Sequence, residues 1–235
     1  MASSATEWDP DDTSLMLHMD GADASTTFTD ETGKTVTANG NAQIDTAQSK
    51  FGGAAALFDG AGDYLTVSGS ADWDLGTGDF TIDFWFRSAI ESPNIDYMLS
   101  MGDEDLAEGV HMRVDQTVLR TRVEGTIDTF AWTPAVNTWY HVALVRNGNN
   151  LLAFIDGTQV GTTQDVTGLD VQVTGSFFIA AQNGSEAAGN PMNGWLDEFR
   201  IVKGTAVWTA NFTSPTAAYT KVSATISKMM LMGIS

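Results

Sequence analysis

The sequence predicts an all-β fold of packed antiparallel strands. Strand-like runs recur about every ten residues between Gly, Asn and Asp turns, the spacing of a sandwich or barrel. One stretch, "TWYHVALVRNGNNLLAFIDGTQVG", reads as a complete three-strand meander. Helical periodicity is nearly absent along the 235 residues.

The elements follow in order. "SLMLHMDG" alternates Leu15, Leu17 and Met19 against Met16, His18 and Asp20. "SKFGGAAALF" is the best helix candidate, but its paired glycines limit it to a turn. "YLTV" follows the turn-rich "FDGAGD". "DFTIDFWFR" puts Phe80, Ile82, Phe84 and Phe86 on one face and Thr81, Asp83 and Arg87 on the other, which Trp85 joins. In the meander, Asn147-Gly148-Asn149-Asn150 and Asp156-Gly157 mark tight turns, because both central residues of a type I′ turn need positive φ. "SFFIAAQ" and "NGWLDEFRIVKG" supply two more strands.

In that last strand, strict alternation puts Trp195, Asp197, Phe199 and Ile201 on one face. Leu196, Glu198, Arg200 and Val202 take the other, where Glu198 and Arg200 are expected to be solvated neighbours. Asp197 then lies among large apolar side chains, on the face the core should bury. A carboxylate there needs a partner, since burying one alone is costly.

Composition narrows the partners. Eleven Lys+Arg against thirty Asp+Glu give a net charge of −19, which repels nucleic acid and anionic membranes, so neither is expected. With 43% hydrophobic residues the chain has ample core material. It has no Cys, hence neither disulfides nor thiol chemistry, which fits synthesis in a reducing cytosol. The start "MASSATEWDPDDTS" has no signal-peptide pattern, and no run approaches the roughly 18 apolar residues of a membrane span. The last stretch, "KVSATISKMMLMGIS", has no acidic residue and carries Lys221 and Lys228. It reads equally as an arm docking elsewhere or as a closing strand.

Taken in order, "LMLHMDG", "FGGAAALFDGAGDYLTV", "GDFTIDFWFR", "NTWYHVALVRNGNNLLAFIDGTQVG" and "NGWLDEFRIVKG" resemble a laminin G-like domain of the concanavalin A-like lectin/glucanase superfamily. The resemblance covers residues 12–220, with 1–11 as an N-terminal arm and 221–235 as a C-terminal tail. "GADASTTFTD", "ANGNAQIDTAQSKFGGA" and "NFTSPTAAY" are similar to versions in bacteriophage structural proteins. The resemblance implies a jelly-roll sandwich of two antiparallel sheets, one concave and one convex. It also implies binding of glycans or proteins more often than catalysis, frequently with a structural Ca²⁺. By position, the metal ligands fall on Asp20 and Asp197, with Asp30 in "TDETG" a further candidate; "TDETGKT" departs from the loop usual in the family.

Calcium takes six to eight oxygen ligands, and glycine turns near Asp20 and Asp197 offer carbonyls. The alternative for Asp197 is an ion pair with Arg87, Arg146 or another buried Arg, or a backbone partner. Glycoside hydrolysis needs two carboxyls about 5–5.5 or 6.5–9.5 Å apart. "WLDEF" splits its acids between two faces and "TIDFWF" has one acid, so no enzyme is expected. His18, His111 and His141 form no zinc motif, and His141 reads as a core or edge histidine. Sugar binding calls for aromatics beside polar groups, preferably on loops. Tyr97 and Trp132 in the irregular-looking region 88–135, and Asn183 in the Gly-rich loop 183–194, are the ligand candidates, with Trp73 and Trp208 behind them.

The expected function is that of a non-enzymatic virion protein, a phage decoration or fibre-type module made in the host cytoplasm. Its expected partners are other virion proteins, further copies of itself as a homo-oligomer, and host-surface glycans. The alternative is a carbohydrate-binding module of a bacterial extracellular protein.

Overall fold

The computed structural model describes residues 6–91, 95–184 and 188–222. Most of the expected tail, 223–235, and the first five residues of the expected arm lie outside the described residues.

Two large antiparallel sheets face each other, as the strand pattern predicts. The seven-stranded sheet runs in the order Thr126–Ala131, Val118–Val123, Val110–Asp115, Asp96–Met101, Phe177–Ile179, Tyr64–Val67, Val36–Asn39. The eight-stranded sheet runs Thr158–Asp165, Asn150–Ile155, Trp139–Asn147, Phe80–Ser88, Asn193–Lys203, Ala55–Asp59, Gln43–Asp45, with Thr13–Leu17 also paired to Asn193–Lys203. Region 88–135, expected to be irregular, instead supplies four consecutive strands of the seven-stranded sheet. Its basic residues Arg113, Arg120 and Arg122 sit opposite the side that Met112, Val114, Leu119 and Val123 bury. The only helix among the described residues is a single 3₁₀ turn at Ala71–Trp73.

Period-two alternation fills the space between the sheets. Leu15 and Leu17 meet Phe80, Ile82, Phe84 and Phe86 from one sheet, and Leu65, Leu99, Met112 and Phe177 from the other, all fully buried. Phe84 and Phe199 stack with centroids 5.0 Å apart and planes within 3°. Truncating such a ring to Ala costs about 3–5 kcal/mol. The meander is present as expected, Trp139–Asn147, Asn150–Ile155 and Thr158–Asp165 pairing in sequence. Asp156 and Gly157 both have positive φ, 49° and 75°, as a type I′ turn requires. At the other hairpin Gly148 has φ 60° while Asn149 stays outside the positive region, which is the II′ pattern rather than I′.

The last long strand departs from strict alternation. Asp197 pairs with Trp85, but the next cross-strand pair is Arg200 with Asp83, so the bulged strand sets two residues against one. Glu198 takes the extra place with φ 51°, a left-handed value unusual for a residue with a Cβ. Before the bulge Leu196 faces the core; after it Phe199 and Ile201 do. Asp197 therefore does not share a face with Phe199 and Ile201 as expected. It stands on the sheet's outer face with Trp85, Asp83 and Arg200. Nor are Glu198 and Arg200 solvated: they are 1% and 0% exposed.

On the outer face of the eight-stranded sheet pack the segments around Trp8 and from Ala206 to Lys221. Trp208 and Phe212 stack 4.1 Å apart and pack over Ala143, Val145 and Phe154. Trp8, Met16 and Tyr219 form a third apolar cluster, and Glu7–Trp8 pairs in parallel with Thr220–Lys221. Residues 6–11 of the expected arm thus belong to the packed fold. Beneath this cover lies a polar network whose centre is Asp83.

Candidate functional site

Asp197 ends its run of strand beside the loop 50–54. The amides of Lys50 and Phe51 donate to Asp197 Oδ2 at 2.7 and 3.0 Å. Asp197 Oδ1 is buried and has no hydrogen-bond partner. Burial pushes this carboxyl up to about 8; the two amides pull it down, while Glu198 and Asp20 push it further up.

Asp20 reaches the same loop from the end of the first long strand. A Cβ on Gly52 would lie 2.0 Å from Asp20 Oδ2, so the carboxylate rests directly on the Gly52 backbone, which has φ 63°. Partial burial raises the Asp20 carboxyl, against lowering by His18 and by the Ala54 amide. Only a glycine provides both the room and the conformation here. Two acids of the expected metal set therefore converge on one glycine-rich loop, with a buried carboxylate oxygen left unpaired. That donor chemistry fits a hard cation: Asp197 Oδ1 and the Asp20 carboxylate would hold it. Lys50 also stands near, its ammonium 3.8 Å from the centre of the Trp85 ring. The third expected ligand, Asp30, is placed differently. Its oxygens accept from the Met16 and Lys34 amides, both at 2.8 Å, and from Thr32 Oγ1 at 2.5 Å. Among the described residues no group of three His, Cys, Asp or Glu side chains could hold a metal ion, so the Asp20 and Asp197 carboxylates would need other oxygens beside them.

Neither expected ion-pair partner reaches Asp197. Arg146 donates instead to the carbonyls of Gly148, Gly76, Leu169 and Val166. Arg87 lies over the Trp195 ring at 4.6 Å. Of the alternatives to a metal, the backbone partner is the one present.

The neighbouring acids are committed to structure. Arg200 Nε donates to Asp83 Oδ1 at 2.9 Å, Tyr219 Oη donates to Asp83 Oδ2, and His141 Nε2 lies 3.3 Å from that same oxygen. Burial works to raise the Asp83 carboxyl, yet Arg200 and His141 hold it below the usual carboxylate range. Glu198 accepts from His18 Nδ1 and from the Tyr219 amide, each at 2.8 Å. Asp83 and Asp197 share a face, but Asp83 is sealed under the terminal segments and cannot reach a glycosidic oxygen. Sequence reasoning missed Glu198, Arg200 and Tyr219 because nothing local announces the bulge.

The ligand candidates fall in two places. Tyr97 is fully buried, so its ring face is closed to a sugar; its hydroxyl donates to Glu104 Oε1 at 3.0 Å. The Asn183 carbonyl accepts from the Glu104 amide at 2.9 Å, so Tyr97 and Asn183 meet at Glu104. Trp132 is elsewhere, edge-on to Tyr140 at 5.4 Å and to Phe86 at 6.0 Å. Trp73 and Trp208 are buried, at 0% and 6%.

Comparison with known proteins agrees with this architecture. Residues 58–209 match a laminin G family described as the concanavalin A-like lectin/glucanases superfamily. No curated protein matches the sequence. Among solved structures, the receptor-binding domain of botulinum neurotoxin C/D mosaic serotype superposes with TM-score 0.62 at 14% identity, over 84% of this chain and 49% of that one. The binding domain of Paraclostridial Mosquitocidal Protein 1 gives 0.64 at 16% identity, over 84% and 50%. The binding domain of botulinum neurotoxin DC, solved with rat synaptotagmin II, gives 0.62 at 16%, again over 84% and 50%. The chain spans about half the length of these structures, and at such identity the likeness is one of fold. No helix among the described residues is long and apolar enough to cross a membrane. By the family match over more than half its length, the chain belongs to the concanavalin A-like lectin/glucanases superfamily.

Proposed function

We propose that the protein is a non-catalytic binding domain that recognises glycans or protein surfaces, with Ca²⁺ held by Asp20 and Asp197. The observation that carries this reading is the division of labour between Asp197 and Glu198. The bulge sends Glu198 to His18 and the Tyr219 amide, while Asp197 keeps one buried oxygen unpaired beside Asp20. The strand's two acids thus support a cation anchor and a structural clasp rather than an acid–base pair. The use of this fold in toxin receptor-binding domains, one solved with synaptotagmin II and one from botulinum neurotoxin type C, whose cell entry depends on interaction with two ganglioside molecules, supports a role in recognition.

The finer setting we infer is a virion, where the domain is a decoration or fibre-type module that contacts other virion proteins, further copies of itself and host-surface glycans. Its similarity in wording to phage structural proteins supports that placement. The toxin neighbours favour the second reading, an extracellular carbohydrate-binding module. A glycan array probed with and without Ca²⁺, beside a pull-down on capsids lacking the protein, separates the two. Capsid retention supports the virion role, and glycan binding without capsid retention supports the second reading. Failure in both assays overturns the binding function.

A further inference from the structure

We infer that the outer face of the seven-stranded sheet carries a recognition site for the carboxylate or sulfate group of an acidic glycan, centred on Arg113, Arg120 and Arg122. The inference rests on the glycan-binding reading above and names the charge class of the ligand.

The hairpin of Val110–Asp115 and Val118–Val123 sets His111 opposite Arg122 and Arg113 opposite Arg120. Side chains of directly opposed residues share a face, so these four stand together, while Met112, Val114, Leu119 and Val123 point into the core. Half of the chain's six arginines therefore occupy one patch of a protein whose net charge is −19. They line a shallow surface recess that also includes Tyr97, Glu104 and Ile127.

The charges in the recess do not balance. Glu104 Oε1 lies 3.3 Å from Arg122 Nη1 and 3.6 Å from Arg113 Nη1. Asp115 Oδ2 lies 3.2 Å from Arg120 Nη2 and 3.7 Å from Arg113 Nη2. Burial lowers the His111 pKa, against raising by Glu104, and its ring nitrogens lie 2.8 Å from Ser100 Oγ, 3.0 Å from Glu104 Oε2 and 2.6 Å from the Glu108 carbonyl. Three guanidinium groups face two carboxylates, which leaves one positive charge in excess. Arg120 Nη1 and Arg122 Nη2 make no hydrogen bond or ion pair among the described residues, and Arg120 is 33% exposed. Like charges set directly opposite, as Arg113 and Arg120 are, destabilise a sheet, and such breaches of local rules concentrate at functional sites.

Two neighbouring guanidinium ends with unused N–H groups suit the fork geometry of a carboxylate or sulfate. Ile127, 47% exposed and directly opposite Arg122, offers an apolar rim for a sugar ring. Asp103, Asp105 and Glu108 in the adjoining loop, together with the chain's overall charge, disfavour dense polyanions. The ligand class is therefore a mostly neutral glycan bearing isolated acidic groups.

The test is an array of matched pairs in which sialylated, uronate-containing and sulfated glycans stand beside their neutral parents, followed by calorimetry on the best binder. Wild-type protein is expected to prefer the acidic member at least tenfold, and Arg120→Ala and Arg122→Gln each to lose at least fivefold while the melting temperature holds. Preference for neutral glycans, or acidic binding indifferent to both substitutions, overturns this inference and leaves the glycan-binding function standing. No glycan binding of any kind overturns both.

Discussion

Arg200 Nε and Asp83 Oδ1 lie 2.9 Å apart, and neither side chain has any exposed surface. Tyr219 and His141 complete the cluster, and the Arg200 guanidinium sits 4.0 Å from the Tyr219 ring centre. The pair joins the central strand Phe80–Ser88 to the last long strand, while Tyr219 brings the C-terminal segment down onto both. Removing one partner strands a charge in the interior at a cost of about 3–5 kcal/mol. Asp83→Ala is expected to lower stability by that amount in urea melts. Replacing both Asp83 and Arg200 with apolar residues of similar size is expected to recover most of it.

The carboxyl of Asp197 gives a pH signature. Its folded value, about 8, stands above the unfolded value, so the folded state binds the extra proton between about pH 4 and pH 8. Stability contributed by this group is therefore fully present at acid pH and is lost as pH rises through 8. In EDTA the melting temperature is expected to fall across that window, and Asp197→Asn to flatten the fall. Added Ca²⁺ is expected to raise the midpoint most at the alkaline end, because the cation needs the deprotonated carboxylate.

His18 titrates with the opposite chemistry. Its hydrogen bond to Glu198 raises its pKa, although burial opposes that. The resulting stabilisation is fully present below the unfolded value near 6.5 and is lost as pH climbs through the folded value. Proton NMR of the His18 ring is expected to show the raised pKa in wild type and a return toward the ordinary value in Glu198→Gln.

Gly52 is the position where the backbone itself bears on the proposed cation site. With φ 63° and a would-be Cβ 2.0 Å from Asp20 Oδ2, Gly52→Ala must both strain the loop and displace the carboxylate. The strain alone costs about 1–3 kcal/mol. Calorimetry is expected to show weaker Ca²⁺ binding by tenfold or more; at Gly53, which has φ 103° but nothing within 4 Å, Ala is expected to strain the loop yet spare the ion.

The sandwich was legible because alternation and turn residues are local signals: Phe80, Ile82, Phe84 and Phe86 announce their face directly, and Asp156-Gly157 announces its turn. Family position singles out Asp20 and Asp197, but nothing local in the sequence shows that both reach loop 50–54. Nor were the surroundings of Asp197 legible, since one inserted residue at Glu198 reverses the alternation and no glycine marks the place. Tyr97 reads in the sequence as a loop aromatic because polar residues break the pattern around it. Those same residues, Arg113, Arg120 and Arg122, instead line one face of a regular hairpin.

The most direct test of a binding domain without catalysis follows the fate of a bound glycan. Protein is held in Ca²⁺ with the glycan it retains best, and the sugar is recovered after a day for mass spectrometry and a reducing-end assay. The account predicts intact glycan at its starting quantity. Release of new reducing ends, abolished by Asp197→Asn with the fold preserved, would contradict it.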